Sequence, residues 1–245
     1  MPPGTPMPRL HVLTNKIYAD AARLSDTVVI VVDVVFATTG IAVLLDQGAA
    51  DVLPTLAPDA ARATAAALAP GSYVLAGELG GAPVPGFVEP WPLHLLDTDV
   101  ADKHVVYSTT NGTVALNMAA TAGAVLAGSL VNGRAVADYA CEHLAGRDVV
   151  LVCAGSGSSF SLEDFYGAGY IASRLAASDK GFQLSDAAHA ARLLSERGSI
   201  DECIMSTYTG RMMIAQGRRA DLEFCGRRDV FAAAPVFRDG RITRG

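Results

Sequence analysis

Residues 27–34, Thr-Val-Val-Ile-Val-Val-Asp-Val, are the stretch that decides the fold class. This run is almost entirely β-branched, which is typical of a strand buried on both faces of a parallel sheet. Directly after it, Thr38 or Thr39 could cap a helix that runs through Asp46, and Gly48 would end that helix. A buried strand followed at once by a helix favours a parallel sheet covered by helices.

The same alternation of strand-like and helix-like segments continues along the chain. We predict a long helix from Ser161, a helical segment over 183–219 and a strand-rich tail around Val236 and Ile242. Further strands are predicted at 50–53, 73–76, 104–108, 124–127 and 148–153. The sequence therefore predicts an α/β fold of three αβα layers with a largely parallel or mixed sheet.

Composition excludes several classes of protein. Of the 245 residues, 51% are hydrophobic and only 18% are charged, which indicates a folded protein with a large core. The net charge of −6 argues against nucleic-acid binding, and no apolar span reaches the length that crosses a membrane. The four cysteines lack C-x-x-C spacing, so we expect buried free thiols and a cytoplasmic location. We assign residues 1–8 to a disordered lead-in and residues 9–245 to one α/β domain.

Candidate ligand-binding residues follow four of the predicted strands. Asp33 ends the first strand, Glu78 follows the strand at 73–76, and two polar loops follow the strands at 104–108 and 148–153. In open α/β sheets, ligands bind outside the carboxyl ends of the strands. We therefore expect these residues to meet at one edge of the sheet.

The two loops have the composition of anion-binding turns. Residues 108–113 are Ser-Thr-Thr-Asn-Gly-Thr, and residues 153–157 are Cys-Ala-Gly-Ser-Gly. Each loop opens a predicted helix, where unpaired N–H groups and the helix dipole favour an anion. The first loop could be only a capped turn, but its adjacent threonines offer more hydroxyl donors than a cap needs. We therefore predict that it binds a ligand.

Three carboxylates indicate a site for a hard cation. Asp33 interrupts an apolar strand, where a carboxylate is costly unless it is paired or bound to a metal; capping a neighbouring loop is the alternative. Ser161 and Asp164 fit a helix capping box, which leaves Glu163 unexplained. Two adjacent acids beside a Gly-Ser loop suit Mg²⁺, which binds a few carboxylates together with water and phosphate oxygens. An anion cradle beside such a site indicates phosphate chemistry.

Other catalytic signatures are absent from the sequence. Gly155 and Gly157 do not form a dinucleotide-binding fingerprint, because the third glycine position holds Phe160 and no acid ends a following strand. Asp33 lacks the second aspartate of a D-x-D-x-T phosphatase motif. The five histidines show neither metal-ligand spacing nor a Ser or Cys partner, which argues against a catalytic triad.

The chain resembles the 2-phosphosulfolactate phosphatase family, the ComB-like proteins, from about residue 27 to 242. The matching blocks are 32–34 with 37–39, 109–113, 128–130 with Asn132, 153–155, 161–164, 168–169, and then Gly217, Asp221, Cys225, Asp229 and Pro235. The resemblance implies an α/β fold unlike the common phosphatase folds. It also implies Mg²⁺-dependent hydrolysis of a phosphate monoester on a small sulfonated hydroxy acid, a step towards coenzyme M.

The resemblance also implies roles for single residues. The candidate metal ligands and catalytic acids are Asp33, Glu163 and Asp164. The candidate phosphate or substrate binders are Thr38, Thr39, Thr110, Asn111, Gly112, Thr113 and Gly155. The expected partner is a small anionic phosphate ester, and a homodimer stays open as the assembly.

Two positions depart from the family pattern. Phe36 stands where the family usually has Arg, and the loop at 86–92 lacks the family's Asn-Ser. Because Arg binds anions through charge-assisted hydrogen bonds, we predict a substrate less acidic than phosphosulfolactate, with Phe36 and Trp91 enlarging an apolar wall. Arg134 and Arg211 are candidates to replace the missing cation. The alternative function is a non-catalytic ligand-binding or scaffolding homologue, which the retention of all three acids disfavours.

Overall fold

Strands and helices alternate through most of the chain. The computed structural model describes residues 7–245, except for the side chain of Ala21; residues 1–6 of the predicted lead-in lie outside the described residues. The strands are β1 Arg9–Leu13, β2 Val28–Val32, β3 Asp51–Thr55, β4 Tyr73–Leu79, β5 Ala82–Pro83, β6 His104–Ser108, β7 Ala124–Gly128, β8 Val149–Cys153, β9 Gln183–Leu184, β10 Pro235–Arg238 and β11 Arg241–Arg244. The helices are α1 Ala21–Leu24, α2 Ala37–Asp46, α3 Pro58–Ala65, α4 Pro92–Leu96, α5 Gly112–Met118, α6 Gly133–His143, α7 Leu162–Ala176, α8 Asp186–Arg197, α9 Ile200–Met205, α10 Tyr208–Ala215 and α11 Arg219–Cys225. Two 3₁₀ helices span Lys16–Tyr18 and Leu130–Asn132.

The strands of residues 7–245 form one sheet with the order β5-β4-β6-β3-β11-β10-β7-β2-β8-β1-β9. Two parallel blocks make up most of it, β4-β6-β3 on one side and β7-β2-β8-β1-β9 on the other. The antiparallel hairpin of β10 and β11, from the C-terminal tail, lies between the blocks and pairs with β7 and β3. The prediction of a largely parallel or mixed sheet is confirmed.

Successive side chains of β2 enter two different cores. Val28, Ile30 and Val32 pack in a core that includes α6 and α7, whereas Val29 and Val31 pack in a core that includes α2 and α5. Because successive side chains of a strand point to opposite faces, helices cover both sides of the sheet. This two-sided burial explains the unbroken β-branched run and confirms the three αβα layers.

The helix after β2 begins differently from the prediction. Its N-cap is Phe36, which makes no side-chain hydrogen bond to the helix. Thr38 and Thr39 lie inside the first turn, so the prediction that one of them caps the helix is wrong. Gly48 has a φ of +86° just beyond the helix end, which confirms its predicted role as the stop.

The two parallel blocks run in opposite senses, because three antiparallel pairings separate β3 from β7. The carboxyl ends of the two blocks therefore point in opposite directions. For this reason, the rule that loops gather at the carboxyl ends of parallel strands does not by itself bring the loops of both blocks together. Helix α5 supplies the connection, since it follows β6 yet packs against β2 and α2 as well as β3. None of the helices within residues 7–245 is both long and apolar enough to span a bilayer.

Candidate active site

A cavity of about 280 Å³ lies at the carboxyl ends of β2, β4, β6 and β8. The loops after these four strands line it, together with residues 90–91 and one face of α10. Asp33, Glu78 and residues from both predicted loops thus meet in one place. Arg134 and Arg211 do not line the cavity, so neither replaces a cation there.

Gly112 brings the start of α5 against Asp33. A Cβ atom at position 112 would lie 2.3 Å from Ala37 Cβ and 2.5 Å from Asp33 Oδ2, which is closer than real Cβ atoms stand. Only glycine therefore permits this approach. Gly112 is buried and does not line the cavity. It therefore acts by letting the start of α5, and with it Asn111, lie close to Asp33.

Asp164 joins the loops that follow β2 and β8. Its Oδ1 accepts a hydrogen bond from Val34 N and its Oδ2 accepts one from Gly155 N, both at 2.9 Å. Ser161 caps α7, because its hydroxyl accepts from Asp164 N at 3.2 Å. The capping interaction predicted for Ser161 and Asp164 is therefore present, but the carboxylate of Asp164 stabilises two other loops.

Burial and mutual repulsion raise the pKa values of the clustered acids. Burial, with the nearby charges of Glu78 and Glu163, raises the pKa of Asp33 to about 7, against the opposing effects of the Ala37 N–H and Lys16. Burial, with the nearby charges of Asp33 and Glu163, raises the pKa of Asp164 well above its ordinary value. Burial also raises the pKa of Glu163, although hydrogen bonds from its own N–H and nearby hydroxyls oppose the shift. Such a cluster favours a bound cation.

Mg²⁺ fits the chemistry of these donors, although the three predicted ligands are not placed as a set. Across residues 7–245, no three His, Cys, Asp or Glu side chains are arranged together as metal ligands. Each oxygen of Asp164 accepts a backbone N–H group, and Asp33 and Glu163 are the other hard oxygen donors of the predicted set. Mg²⁺ usually takes one or two protein carboxylates and completes its shell with water and phosphate oxygens, so two carboxylates suffice.

Lys16 is a buried residue of the site that sequence reasoning missed. Its side-chain ammonium donates to Asn111 Oδ1 at 2.9 Å, Ala154 O at 2.7 Å and Gly157 O at 3.1 Å. Burial lowers its pKa, and the charges of Asp33 and Asp164 oppose that shift. Lys16 lies in a short 3₁₀ helix after β1, where no motif or periodicity in the sequence marked it.

Three of the predicted substrate-binding threonines are structural. Thr38, Thr39 and Thr113 are fully buried and do not line the cavity. The Thr38 hydroxyl lies within hydrogen-bond distance of Asp33 O and Gly128 O, and the Thr39 hydroxyl donates to Val34 O or Ser129 Oγ. The Thr113 hydroxyl bonds to the backbone of residue 109. The structure thus does not place these hydroxyls where a substrate could reach them.

Most hydrogen-bond donors of the two predicted anion-binding loops already bond to other groups of the protein. Thr110 donates through its N–H and its hydroxyl to the carboxylate of Glu78, at 2.6 and 3.0 Å. The N–H of Gly155 binds Asp164, and the N–H of Gly157 binds Asn111 Oδ1. Asn111 lines the cavity, and because its Oδ1 accepts from Lys16 and Gly157, its Nδ2 remains available as a donor. Asn111 is therefore the best placed of the predicted phosphate binders.

Phe36 and Trp91 form an apolar wall of the cavity, as the sequence predicts. The rings of Phe36 and Trp91 meet edge to face, with centroids 5.2 Å apart and an interplanar angle of 67°. Both line the cavity, together with Met212 and Met213 of α10. Among the described residues, no Lys, Arg or His side chain lines this cavity.

Comparison with known proteins identifies the family of this chain. Residues 14–240 match the model of the family described as 2-phosphosulpholactate phosphatase. A relative from Carboxydothermus hydrogenoformans, named as a probable 2-phosphosulfolactate phosphatase, is 37% identical over 90% of this chain and 89% of its own length. Relatives with the same name from Deinococcus radiodurans and Symbiobacterium thermophilum are 36% and 34% identical, over 95% and 91% of this chain and 93% and 96% of their own lengths. The chain belongs to the 2-phosphosulfolactate phosphatase family.

Proposed function

We propose that this protein is a Mg²⁺-dependent phosphatase that hydrolyses a small phosphate monoester of a 2-hydroxy acid, of the kind named for its relatives. The observation that carries the proposal is the buried acid cluster at the floor of the cavity, with Asp33 only 6% exposed. Family membership supports the reaction class, which is phosphoric monoester hydrolysis. A water oxygen attacks phosphorus, the P–O bond to the alcohol breaks, and the products are the hydroxy acid and inorganic phosphate.

Asp33 and Glu163 are the residues that would hold Mg²⁺. When bound, the metal would neutralise phosphoryl oxygens and stabilise the charge that develops on them. The positive charge of a bound cation would also counter the burial and the repulsion that raise the pKa of Asp33. Asp164 would position this pair rather than bind the metal, because two backbone N–H groups hold its oxygens.

The protein itself supplies a general base, a hydrogen-bond donor for the phosphate and an apolar wall. A carboxylate has two oxygens, so Asp33 can accept the proton of the attacking water through one of them. The Nδ2 group of Asn111 would donate to a phosphoryl oxygen, and Lys16 would hold that amide in place. The apolar rings of Phe36 and Trp91 would lower the local polarity of the cavity, which would strengthen these interactions.

Phosphate release from a panel of small phosphate esters, with Mg²⁺ and with EDTA, tests this function. We expect metal-dependent release by the wild type and its loss in Glu163→Gln, whereas the exposed-acid control Asp26→Asn should match the wild type. Equal release with and without Mg²⁺ would contradict the metal requirement. No release from any ester by folded protein, combined with a thermal shift on adding an ester, would instead support the non-catalytic alternative.

A further inference from the structure

We propose that the cavity selects phosphate esters whose carbon skeleton carries an uncharged, apolar group where 2-phosphosulfolactate carries its sulfonate. This inference rests on the proposed function and specifies the substrate class of the same site. The observation that points to it is the lining of the cavity, which combines four carboxylates with large apolar side chains and includes no cationic side chain among the described residues.

The charges of the cavity oppose an additional anion. Four carboxylates line it, those of Asp33, Glu78, Glu163 and Asp164. One divalent cation and the buried Lys16 ammonium can offset the phosphate and part of this charge, but a sulfonate would add a further negative charge beside the wall. An anion placed there would lose its hydration without gaining a charged partner, which is costly in an apolar environment.

Arg218 is the cation next to the wall, and it is already paired. Its guanidinium lies 5.2 Å from the ring centroid of Trp91, and its Nη2 donates to Glu89 Oε2 at 2.6 Å. Arg218 does not line the cavity. It therefore supports the Trp91 ring from outside, and Glu89 neutralises its charge.

The part of the wall formed by the two aromatic rings is rigid, whereas the part formed by methionine side chains can adapt its shape. Trp91 is 2% exposed and directly precedes α4, and Phe36 packs edge to face against it. Met212 and Met213 line the other part of the wall, and methionine side chains adjust readily to the shape of an apolar group. A surface of this kind gains free energy by burying a methyl or phenyl group rather than a sulfonate.

Three esters that differ only at carbon 3 test the inference. These are 2-phosphosulfolactate, 2-phospholactate and 2-phospho-3-phenyllactate, which carry a sulfonate, a hydrogen and a phenyl group on that carbon. With saturating Mg²⁺, we expect kcat/KM for at least one uncharged ester to exceed that for phosphosulfolactate by about tenfold or more. A preference of tenfold or more for phosphosulfolactate would overturn the inference, and so would equal values for all three.

A positive charge introduced into the wall by mutation tests the same substrate preference. Phe36→Arg should raise kcat/KM for phosphosulfolactate relative to phospholactate by about tenfold or more, because it supplies a cation for the sulfonate. Met118→Arg is the matched control, since Met118 is 39% exposed at the far end of α5 and does not line the cavity. The control should leave the ratio unchanged, and a Phe36→Arg ratio equal to the wild-type ratio would overturn the inference.

Equilibrium binding separates failure of this inference from failure of the proposed function. Calorimetry of the three esters with Asp33→Asn measures affinity without turnover. If no ester is hydrolysed by the wild type, the proposed function fails, yet tighter binding of the uncharged esters would still support the selectivity of the wall. Turnover together with tighter binding of phosphosulfolactate would support the function and overturn the inference.

Discussion

Lys16 Nζ donates a hydrogen bond to Asn111 Oδ1 at 2.9 Å, and this contact joins the 3₁₀ helix after β1 to the loop after β6. The same ammonium binds the carbonyls of Ala154 and Gly157, and Gly157 N also donates to Asn111 Oδ1. A residue near the N-terminus thus orients the amide that we expect to bind phosphate. The family match begins at residue 14, so Lys16 lies within the part of the chain that matches the family model.

Replacing Lys16 by methionine should lower both stability and activity. The change leaves the buried carbonyl of Ala154 without its Lys16 donor, at a cost of about 1–3 kcal/mol, and it removes the Lys16 bonds that hold Asn111 and Gly157. Misplacement of a binding group by about 1 Å can reduce the rate about a hundredfold. Urea unfolding and phosphate release measure the two effects. Lys180→Met, which alters only a partly exposed lysine beside Asp179, is the control, and a Lys16→Met variant as active as this control would contradict the assignment.

Gly112→Ala should damage the site through packing alone. The added methyl group would meet Ala37 Cβ at 2.3 Å and Asp33 Oδ2 at 2.5 Å, so the start of α5 must move away from Asp33. We expect a loss of about 1–3 kcal/mol in unfolding free energy together with lower kcat. Gly226→Ala is the matched control, because its new Cβ would find its nearest neighbour at an ordinary 3.4 Å. Equal effects of the two substitutions would contradict the proposed close approach.

Tyr107 and Gly40 should show energetic coupling. The Tyr107 hydroxyl is buried without a hydrogen-bond partner among the described residues, and a Cβ at position 40 would lie 2.6 Å from it. Tyr107→Phe removes an unsatisfied polar group and should be neutral or stabilising by up to about 1 kcal/mol. Gly40→Ala should cost less in the Tyr107→Phe background than in the wild type. A double-mutant cycle by urea unfolding measures this, and additive effects would contradict the contact.

Asp33 makes the stability of the metal-free protein depend on pH. Its pKa is about 7 in the folded protein, above its ordinary value of 3.8, so between these pH values the native state holds a proton that the unfolded chain has released. Stability should therefore fall as the pH rises from about 4 to about 7 and remain low above that range. In EDTA at pH 8, Asp33→Asn should be more stable than the wild type by a few kcal/mol, since one pKa unit corresponds to about 1.4 kcal/mol.

Urea unfolding at pH 5 and at pH 8 checks this prediction. The advantage of Asp33→Asn should shrink as the pH falls towards 4, because the folded wild-type protein then holds its carboxyl in the protonated form. An advantage that does not change with pH, or a less stable variant at pH 8, would contradict the role of the buried charge. Asp26→Asn, which alters an exposed acid, should show no such pH dependence.

Local sequence patterns were sufficient to predict the layers of this fold and the location of its cavity. The β-branched run of β2 indicates burial on both faces, and Asp33 stands out because it interrupts such a run. Phe36 and Trp91 were predicted to share an apolar wall, and their edge-to-face contact confirms it. These features depend on strong local signals that tertiary contacts reinforce.

The remaining features depend on contacts between residues far apart in the chain. The hydroxyls of Thr38 and Thr39 meet Gly128 and Ser129, about ninety residues away, and no local pattern shows that these partners use them. The burial of Lys16 depends on loops more than ninety residues later. The tail strands β10 and β11 were predicted as strands, but their insertion between the two parallel blocks depends on long-range pairing.

The central claim is that the acid cluster around Asp33 hydrolyses phosphate esters, and phosphate release by Asp33→Asn tests it most directly. With 2-phospholactate or phosphosulfolactate at saturating Mg²⁺, we predict that the wild type releases phosphate and that the variant is slower by about a hundredfold or more. Circular dichroism and urea unfolding would establish that the variant is folded. A folded Asp33→Asn protein that releases phosphate within a few-fold of the wild-type rate would contradict the claim.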